Sequence, residues 1–152
     1  MKNKILIILL IFLSSCGYSS IYEGNQSRDF KLSIIKTNGD NEFNNLIKKE
    51  LKLFSNNSSK KEYFLSINTN YKKTITSKNL AGVANTYNIS LSASILVEIN
   101  NKINNFQFEE NINISNNTNS FEQNNYEKNI RRNFASSVRE KLIIKILNTN
   151  DS

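Results

Sequence analysis

Apolar and polar residues alternate almost without interruption from Val83 to Ile99. In an extended strand, successive side chains point to opposite faces, so this alternation collects the apolar residues on one face. The pattern therefore predicts a long strand with one face buried and the other exposed to water. The apolar members of the pattern are Val83, Tyr87, Ile89, Leu91, Ala93, Ile95, Val97 and Ile99.

The residues that follow predict a hairpin. Asn100 and Asn101 suit a two-residue turn, because asparagine tolerates the left-handed backbone conformation that such turns require. If Ile99 faces Lys102 across the turn, the apolar face of the first strand meets the apolar face of the second. The predicted pairs are Ile95 with Phe106, Ala93 with Phe108, Ile89 with Ile112, and Tyr87 with Ile114.

A strand and a helix are predicted before this hairpin. Alternation from Phe30 indicates a first strand that ends near Lys36, followed by a turn at residues 37–39. Asp40 is then the expected N-cap of an amphipathic helix from Asn41 to about Phe54. The apolar positions of this helix are Phe43, Leu46, Ile47, Leu51 and Phe54.

A second strand and a final helix complete the pattern. Apolar residues of one parity between Tyr63 and Ile75 predict a strand, and residues 77–82 predict a loop. Ser120 and Gln123 have the spacing of a capping box at the start of a helix that ends near Leu147. Its predicted buried residues are Tyr126, Ile130, Phe134, Val138, Leu142 and Ile146.

The element order βαβββα predicts a two-layer α/β (α+β) sandwich. Two helices cover one face of a four-stranded mixed sheet, and the other face is polar. We expect one domain over residues 30–147 and a frayed tail over residues 148–152. The predicted polar face contains Asn68, Asn70, Lys72, Asn88, Ser90, Ser92 and Ser94.

The first 15 residues have the features of an export signal. Two lysines precede nine apolar residues, Ile5–Leu13, which are too few for the ~20 residues of a membrane span. A buried element of the domain is the alternative interpretation. Leu13-Ser14-Ser15-Cys16 resembles the bacterial lipoprotein signal, in which the cysteine receives acyl chains such as palmitate and becomes the mature N-terminus. Residues 1–15 are then a removed signal peptide, and residues 16–29 are a lipidated tether.

Composition narrows the function classes. Without the two signal lysines, 18 basic and 13 acidic residues remain, a formal charge of +5. The chain has no histidine, and Cys16 is its single cysteine, so we expect neither an enzyme nor a metal or cofactor site. Glu109 and Glu110 are the one adjacent acidic pair, but strand neighbours point to opposite faces. Export also argues against a nucleic-acid partner.

The sequence resembles the lipopolysaccharide-assembly lipoprotein family LptE in element order, length and export signal. Cys16-Gly17-Tyr18-x-x-Ile21-Tyr22 is similar to the start of alphaproteobacterial members. Those members often carry a proline within this motif, whereas this chain has none. Gly17 after the lipidated cysteine favours sorting to the outer membrane, since an aspartate there retains lipoproteins in the inner membrane of many bacteria.

The resemblance implies a binding protein, lipid-anchored on the periplasmic side of the outer membrane. Members plug and help assemble the β-barrel protein LptD, and bind lipopolysaccharide for insertion into the outer leaflet. Basic residues between the second and third strands are implied in that binding. Lys78 matches this position best, with Lys72 and Lys73 upstream, and Lys128 is the nearest match for a second contact near the final helix.

Two alternatives stay open at this point. The chain could be an outer-membrane lipoprotein that activates or scaffolds another periplasmic partner, such as a peptidoglycan synthase. The lysines could also be ordinary solvated side chains, because most surface charges contribute little to binding or stability.

Overall fold

The computed structural model describes residues 30–148. The predicted signal peptide at 1–15, the lipidation site Cys16, the tether at 16–29 and the end of the predicted tail at 149–152 lie outside the described residues. The elements, in chain order, are strand β1 (Lys31–Gly39), helix α1 (Asn41–Lys52), strands β2 (Glu62–Lys78), β3 (Ala84–Ile99) and β4 (Lys102–Ser115), and helix α2 (Ser120–Asn148).

The four strands form one mixed sheet in the order β1-β2-β3-β4. β1 pairs with β2 in parallel, and α1 makes the crossover between them. The two following pairs are antiparallel hairpins. Both helices pack on one face of the sheet, so the predicted two-layer α+β fold with the order βαβββα is confirmed.

The β3–β4 hairpin has the predicted register. Ile99 pairs with Lys102, and Ile95 pairs with Phe106. Asn100 and Asn101 have φ values of 47° and 63°, which is the left-handed backbone of a two-residue type I′ turn. The alternation in sequence therefore fixes both the face and the register of these strands.

β1 extends beyond its predicted end. The predicted turn at residues 37–39 continues the strand and pairs with residues 67–69 of β2. Gly39 has a φ of +89°, and a Cβ atom there would lie 1.7 Å from the carbonyl oxygen of Thr69. Asp40 is the N-cap of α1, as predicted, because its Oδ1 accepts a hydrogen bond of 2.7 Å from the backbone N–H of Phe43.

The core lies between the sheet and the two helices. Phe43 of α1 and Phe134 of α2 stack with their ring centroids 5.5 Å apart. The helices are also joined by ion pairs, with Arg139 bound to Glu50 at 2.6 Å. The largest fully buried side chains are Phe43, Phe134, Ile47, Leu51, Leu65, Ile67, Ile89, Leu91, Ile95, Leu142, Ile146 and Val97.

The C-terminal end of α1 and the N-cap of α2 differ from the sequence prediction. α1 ends at Lys52, two residues before the predicted end at Phe54. Asn119, and not Ser120, caps α2, because the Oδ1 of Asn119 accepts hydrogen bonds from the backbone N–H groups of Phe121 and Glu122. The N-cap is therefore one residue before its predicted position, and the backbone N–H of Asn119 donates to Asn117 Oδ1 instead of completing a capping box.

The buried face of α2 also differs at its start. Tyr126 was predicted to be buried but is exposed, whereas the polar residues Gln123 and Glu127 are buried. From Ile130 onward, the predicted apolar positions are all buried. The first two turns of α2 thus present a polar surface to the sheet, and the site described below explains why.

Candidate functional site

The candidate lysines Lys72, Lys73 and Lys78 all lie on β2, whereas Lys128 lies on α2. Lys72 and Lys73 are neighbours on a regular part of the strand, so their side chains leave opposite faces of the sheet. Lys72 pairs with Ser90 and lies on the polar face, away from the helices. The structure therefore does not bring these two lysines together.

Lys73 points toward α2 and is held there by two partners. Its Nζ lies 2.5 Å from Oε1 of Glu127 and 4.0 Å from the centroid of the Tyr87 ring. The Lys73 side chain is 29% exposed and that of Glu127 is 9% exposed. An ammonium group placed this way is already neutralised, because a carboxylate and an aromatic face both stabilise its charge.

Glu127 is the centre of a small polar network. Its Oε1 also accepts a hydrogen bond of 2.8 Å from the side-chain amide of Gln123. Its Oε2 accepts one of 2.8 Å from the hydroxyl of Tyr71. These contacts join the first turns of α2 to the middle of β2.

The network shifts the acid–base properties of its members. Burial opposes ionisation of Glu127, but hydrogen bonds from Lys73, Gln123 and Tyr71 outweigh it and hold the pKa of Glu127 below its ordinary value. Burial, followed by the hydrogen bond to Glu127, raises the pKa of Tyr71 to about 12. The carboxylate is therefore ionised and the phenol neutral around neutral pH.

Sequence reasoning missed Glu127. The spacing of Gln123 and Glu127, four residues apart, places both on the side of α2 that also carries Ile130 and Phe134. Extending the apolar stripe backward from these residues would have selected Glu127 instead of Tyr126. The parity of Tyr71 and Lys73 on β2 was a second available signal, since both share the face of Ile67.

Apolar side chains are exposed where β2 turns into β3. Leu80 and Val83 in the turn, and Ile75 before it, are exposed beside Lys78. The turn itself is well defined, because Oδ1 of Asn79 accepts hydrogen bonds from the backbone N–H groups of Ala81 and Val83. Its apolar surface is therefore presented by an ordered loop.

The start of α2 lies at the same end of the sheet. Ser115, the last residue of β4, pairs with Thr86 near the start of β3. The side-chain amide of Asn116 then donates a hydrogen bond to the carbonyl oxygen of Ala84. Exposed aromatic residues follow in the first turns of α2, namely Phe121 and Tyr126. We call this whole region, residues 75–86 with residues 115–128, the hairpin end, after the β2–β3 turn. The β3–β4 turn lies at the opposite end of the sheet.

Lys72, Lys78 and Lys128 are exposed, and none of them forms an ion pair within residues 30–148. Lys78 is the last residue of β2 and adjoins the apolar turn. Lys128 follows the buried Glu127 but is itself exposed on α2. The hairpin end thus combines exposed cations with exposed apolar side chains.

The sheet face away from the helices is covered mainly by amide and hydroxyl groups. Asn88 donates to Asn113 at 2.9 Å, and Ser94 donates to Asn105 at 3.0 Å, across β3 and β4. The predicted polar-face residues of β2 and β3 all lie on this side, which we call the outer face. Such a face can hydrogen-bond to another polar surface without placing many charges against it.

The adjacent acidic residues Glu109 and Glu110 lie on different faces of the sheet. Glu109 pairs with Ser92 and Glu110 pairs with Leu91, so these neighbours lie on opposite faces, as the sequence predicted. Within residues 30–148, no three histidine, cysteine or acidic side chains are grouped as ligands for a metal ion. No helix in the same range has the length and apolar character needed to span a membrane.

Comparisons with known proteins identify the fold. No protein-family model and no curated protein sequence matches the chain. Among solved structures, it is similar to rare lipoprotein B from Shewanella oneidensis, with a TM-score of 0.58 and 15% identity over 79% of this chain and 98% of that one. A candidate lipoprotein from Caulobacter crescentus gives a TM-score of 0.58 and 12% identity, over 82% and 91%.

Lipoprotein B from Nitrosomonas europaea is similar as well, with a TM-score of 0.53 and 8% identity over 84% of this chain and 90% of that one. At these identities the likeness concerns the fold alone. It extends over most of each chain, so the βαβββα sandwich described here is a fold also found in solved bacterial lipoproteins.

Proposed function

We propose that this chain is an LptE-like outer-membrane lipoprotein. In this proposal Cys16 is lipidated and holds the domain on the periplasmic side of the outer membrane. The domain plugs and helps assemble an LptD-like β-barrel, and it binds lipopolysaccharide for insertion into the outer leaflet. It acts by binding, without catalysis, cofactor or metal.

Two independent observations support the lipoprotein part of the proposal. The sequence around Cys16 resembles a lipoprotein signal, and the fold is shared with solved lipoproteins. Acyl chains contribute about 0.8 kcal/mol for each buried CH₂, so several chains on one cysteine provide a durable anchor. Lipidation also accounts for a lone cysteine placed directly after an apolar run.

The outer face supports the barrel-plug part of the proposal. The lumen of a large membrane barrel is polar, so a surface placed inside it must offer hydrogen-bonding groups. The outer face offers asparagine, serine and threonine side chains over most of its length, with Lys72 and Glu109 among its few charges. This composition suits close packing against a polar wall.

The hairpin end carries the lipopolysaccharide part of the proposal. Lipopolysaccharide joins phosphate groups to acyl chains, so its binding surface needs cations beside apolar groups. Lys78 adjoins the exposed Leu80 and Val83, and Lys128 lies near the exposed aromatic residues of α2. Lys73 contributes less in this scheme, because it would have to leave Glu127 before binding a phosphate.

Binding of purified lipopolysaccharide to single variants tests this assignment. We expect Lys78→Ala and Leu80→Asn each to weaken binding by roughly three- to tenfold, since each removes one charged or one apolar contact. Lys60→Ala is the matched control, because Lys60 is an exposed lysine just before the start of β2, at the opposite end of the sheet. Equal affinities for all three variants and the wild type would contradict the proposed surface.

A further inference from the structure

An apolar patch interrupts the outer face at the end opposite to the hairpin end. Its members are exposed to solvent by 40 to 66%, although most of their neighbours on this face are polar. Exposed apolar groups that cluster on a polar surface often mark a contact site. We call this group the outer-face patch; it consists of Phe64, Leu96 and Ile103, with the exposed Ile35 of the edge strand β1 beside them.

The strand register places these side chains side by side. Phe64 of β2 and Ile103 of β4 both pair with Glu98 of β3, from its two sides. Leu96, two residues from Glu98 on the same strand, is diagonal to both of them, within the ~7–8 Å over which diagonal neighbours interact. Ile35 is the extra residue of the β1 bulge, beside the same part of β2.

The chain enters the fold at this end of the sheet. Lys31 pairs with Glu62, so Phe30 precedes the first row of the sheet. Ser66, at the centre of the patch, lies four residues beyond Glu62 along β2, a distance of ~13 Å at 3.3 Å per residue. Tyr22 precedes Phe30 by eight residues, which span up to ~26 Å when extended. The patch is therefore within reach of the chain around Tyr22.

The sequence before Phe30 has the composition of a docking segment. Ile21 and Tyr22 are apolar, and the seven residues that follow them, 23–29, are all polar or glycine. A linked segment has a high effective concentration, in the millimolar range for short flexible linkers. A second copy or a separate protein lacks this advantage, so the chain's own segment is the favoured occupant.

We infer that Ile21 and Tyr22 dock on the outer-face patch and cover it. The docked tether would hold the β1 edge close to residue 16, which is five residues before Ile21. If Cys16 carries the lipid, as the proposed function requires, the patch lies within ~17 Å of the membrane surface. The hairpin end lies at the other end of the sheet, ~40 Å from the patch, since 12 residues of β2 separate Ser66 from Lys78.

Disulfide formation in the full chain tests the docking. Both proteins compared also carry Cys16→Ser, so that the native thiol cannot compete for disulfide formation. One variant then carries Glu23→Cys with Ser66→Cys, which places a thiol beside each partner and leaves every apolar member intact. The matched control carries Glu23→Cys with Ser58→Cys. Ser58 is an exposed serine in a loop bound to Phe30 through the backbone N–H of Asn56, so it is also within reach of the tether.

The rates of intramolecular cross-linking under mild oxidation are compared on non-reducing gels. We expect the Ser66 variant to cross-link roughly tenfold faster than the Ser58 control, because docking holds residue 23 at the patch. When Ile21→Asn is added to both proteins, the cross-linking rate of the Ser66 variant should fall to that of the Ser58 control, and the rate of the control should not change. Equal rates, or disulfide dimers as the main product, would overturn the inference. Neither result depends on lipopolysaccharide or a barrel, so the proposed function is tested separately.

Discussion

Replacing Glu127 with glutamine tests whether the polar network fastens α2 to the sheet. The carboxylate binds three donors, the ammonium of Lys73, the hydroxyl of Tyr71 and the amide of Gln123, at 2.5 to 2.8 Å. Glutamine has nearly the same shape but no charge, so it weakens the contact with Lys73 without leaving a cavity. The change therefore isolates the electrostatic part of the network.

The expected loss is about 2 kcal/mol of unfolding free energy. A hydrogen bond to a charged group contributes about 1.5–3 kcal/mol, and breaking a fully buried ion pair costs about 3–5 kcal/mol. The range for a hydrogen bond to a charged group applies here, because the Lys73 side chain is 29% exposed and can turn toward water. In urea, where small domains lose about 1–3 kcal/mol of stability per molar, the midpoint should fall by about 1 M.

The difference between wild type and Glu127→Gln should depend on pH. The folded-state pKa of Glu127 lies below its ordinary value of 4.5, so its contribution is present above that value. The contribution is lost as the pH falls through the folded-state pKa, because the protonated acid no longer pairs with Lys73. The two urea midpoints should therefore converge in acid.

Glu109→Gln is the matched control, because Glu109 is an exposed glutamate that forms no ion pair within residues 30–148. Its urea midpoint should equal that of the wild type at neutral pH. A Glu127→Gln variant that unfolds at the wild-type midpoint at neutral pH would show that the network does not stabilise the fold. A deficit that is unchanged in acid would show that the carboxylate charge is not its source.

Two further predictions concern the same elements. Gly39→Ala should lower the free energy of unfolding by about 3 kcal/mol or more, since its Cβ would lie 1.7 Å from the Thr69 oxygen. Gly82→Ala has nothing within 4 Å of its Cβ and should lose only about 1–2 kcal/mol through backbone strain. Equal urea midpoints for the two variants would contradict this difference. Tyr71, with its pKa raised to about 12, stabilises the fold below its ordinary pKa of 10.0 and loses that contribution as the pH rises through 12. The unfolding free energy of Tyr71→Phe should therefore fall less than that of the wild type between pH 10 and 12. An equal fall in both proteins would show that the Tyr71 phenol is not the titrating group.

The sequence predicts this fold well where a single periodicity decides the structure. The alternation in β3 and the Asn100–Asn101 turn determine face and register together, because a slip of one residue would expose every apolar side chain. The N-cap at Asp40 is equally local, since its carboxylate needs only the following turn of helix. These features depend on neighbours in the chain.

The prediction fails where distant elements decide. The burial of Glu127 depends on Lys73 and Tyr71, which are more than 50 residues away in sequence. The continuation of β1 through Gly39 depends on pairing with residue 69 of β2, so local turn chemistry gave the wrong end of the strand. The grouping of Lys72 with Lys73 fails for a local reason, because neighbours on a strand point to opposite faces.

The most direct test of the central proposal is recovery of the tagged protein from detergent-solubilised outer membranes, with mass spectrometry of the bound proteins. We expect a large β-barrel of the LptD type in near-equal amount, and misassembly of that barrel when this protein is depleted. Recovery without any barrel, or with a peptidoglycan synthase in its place, would contradict it.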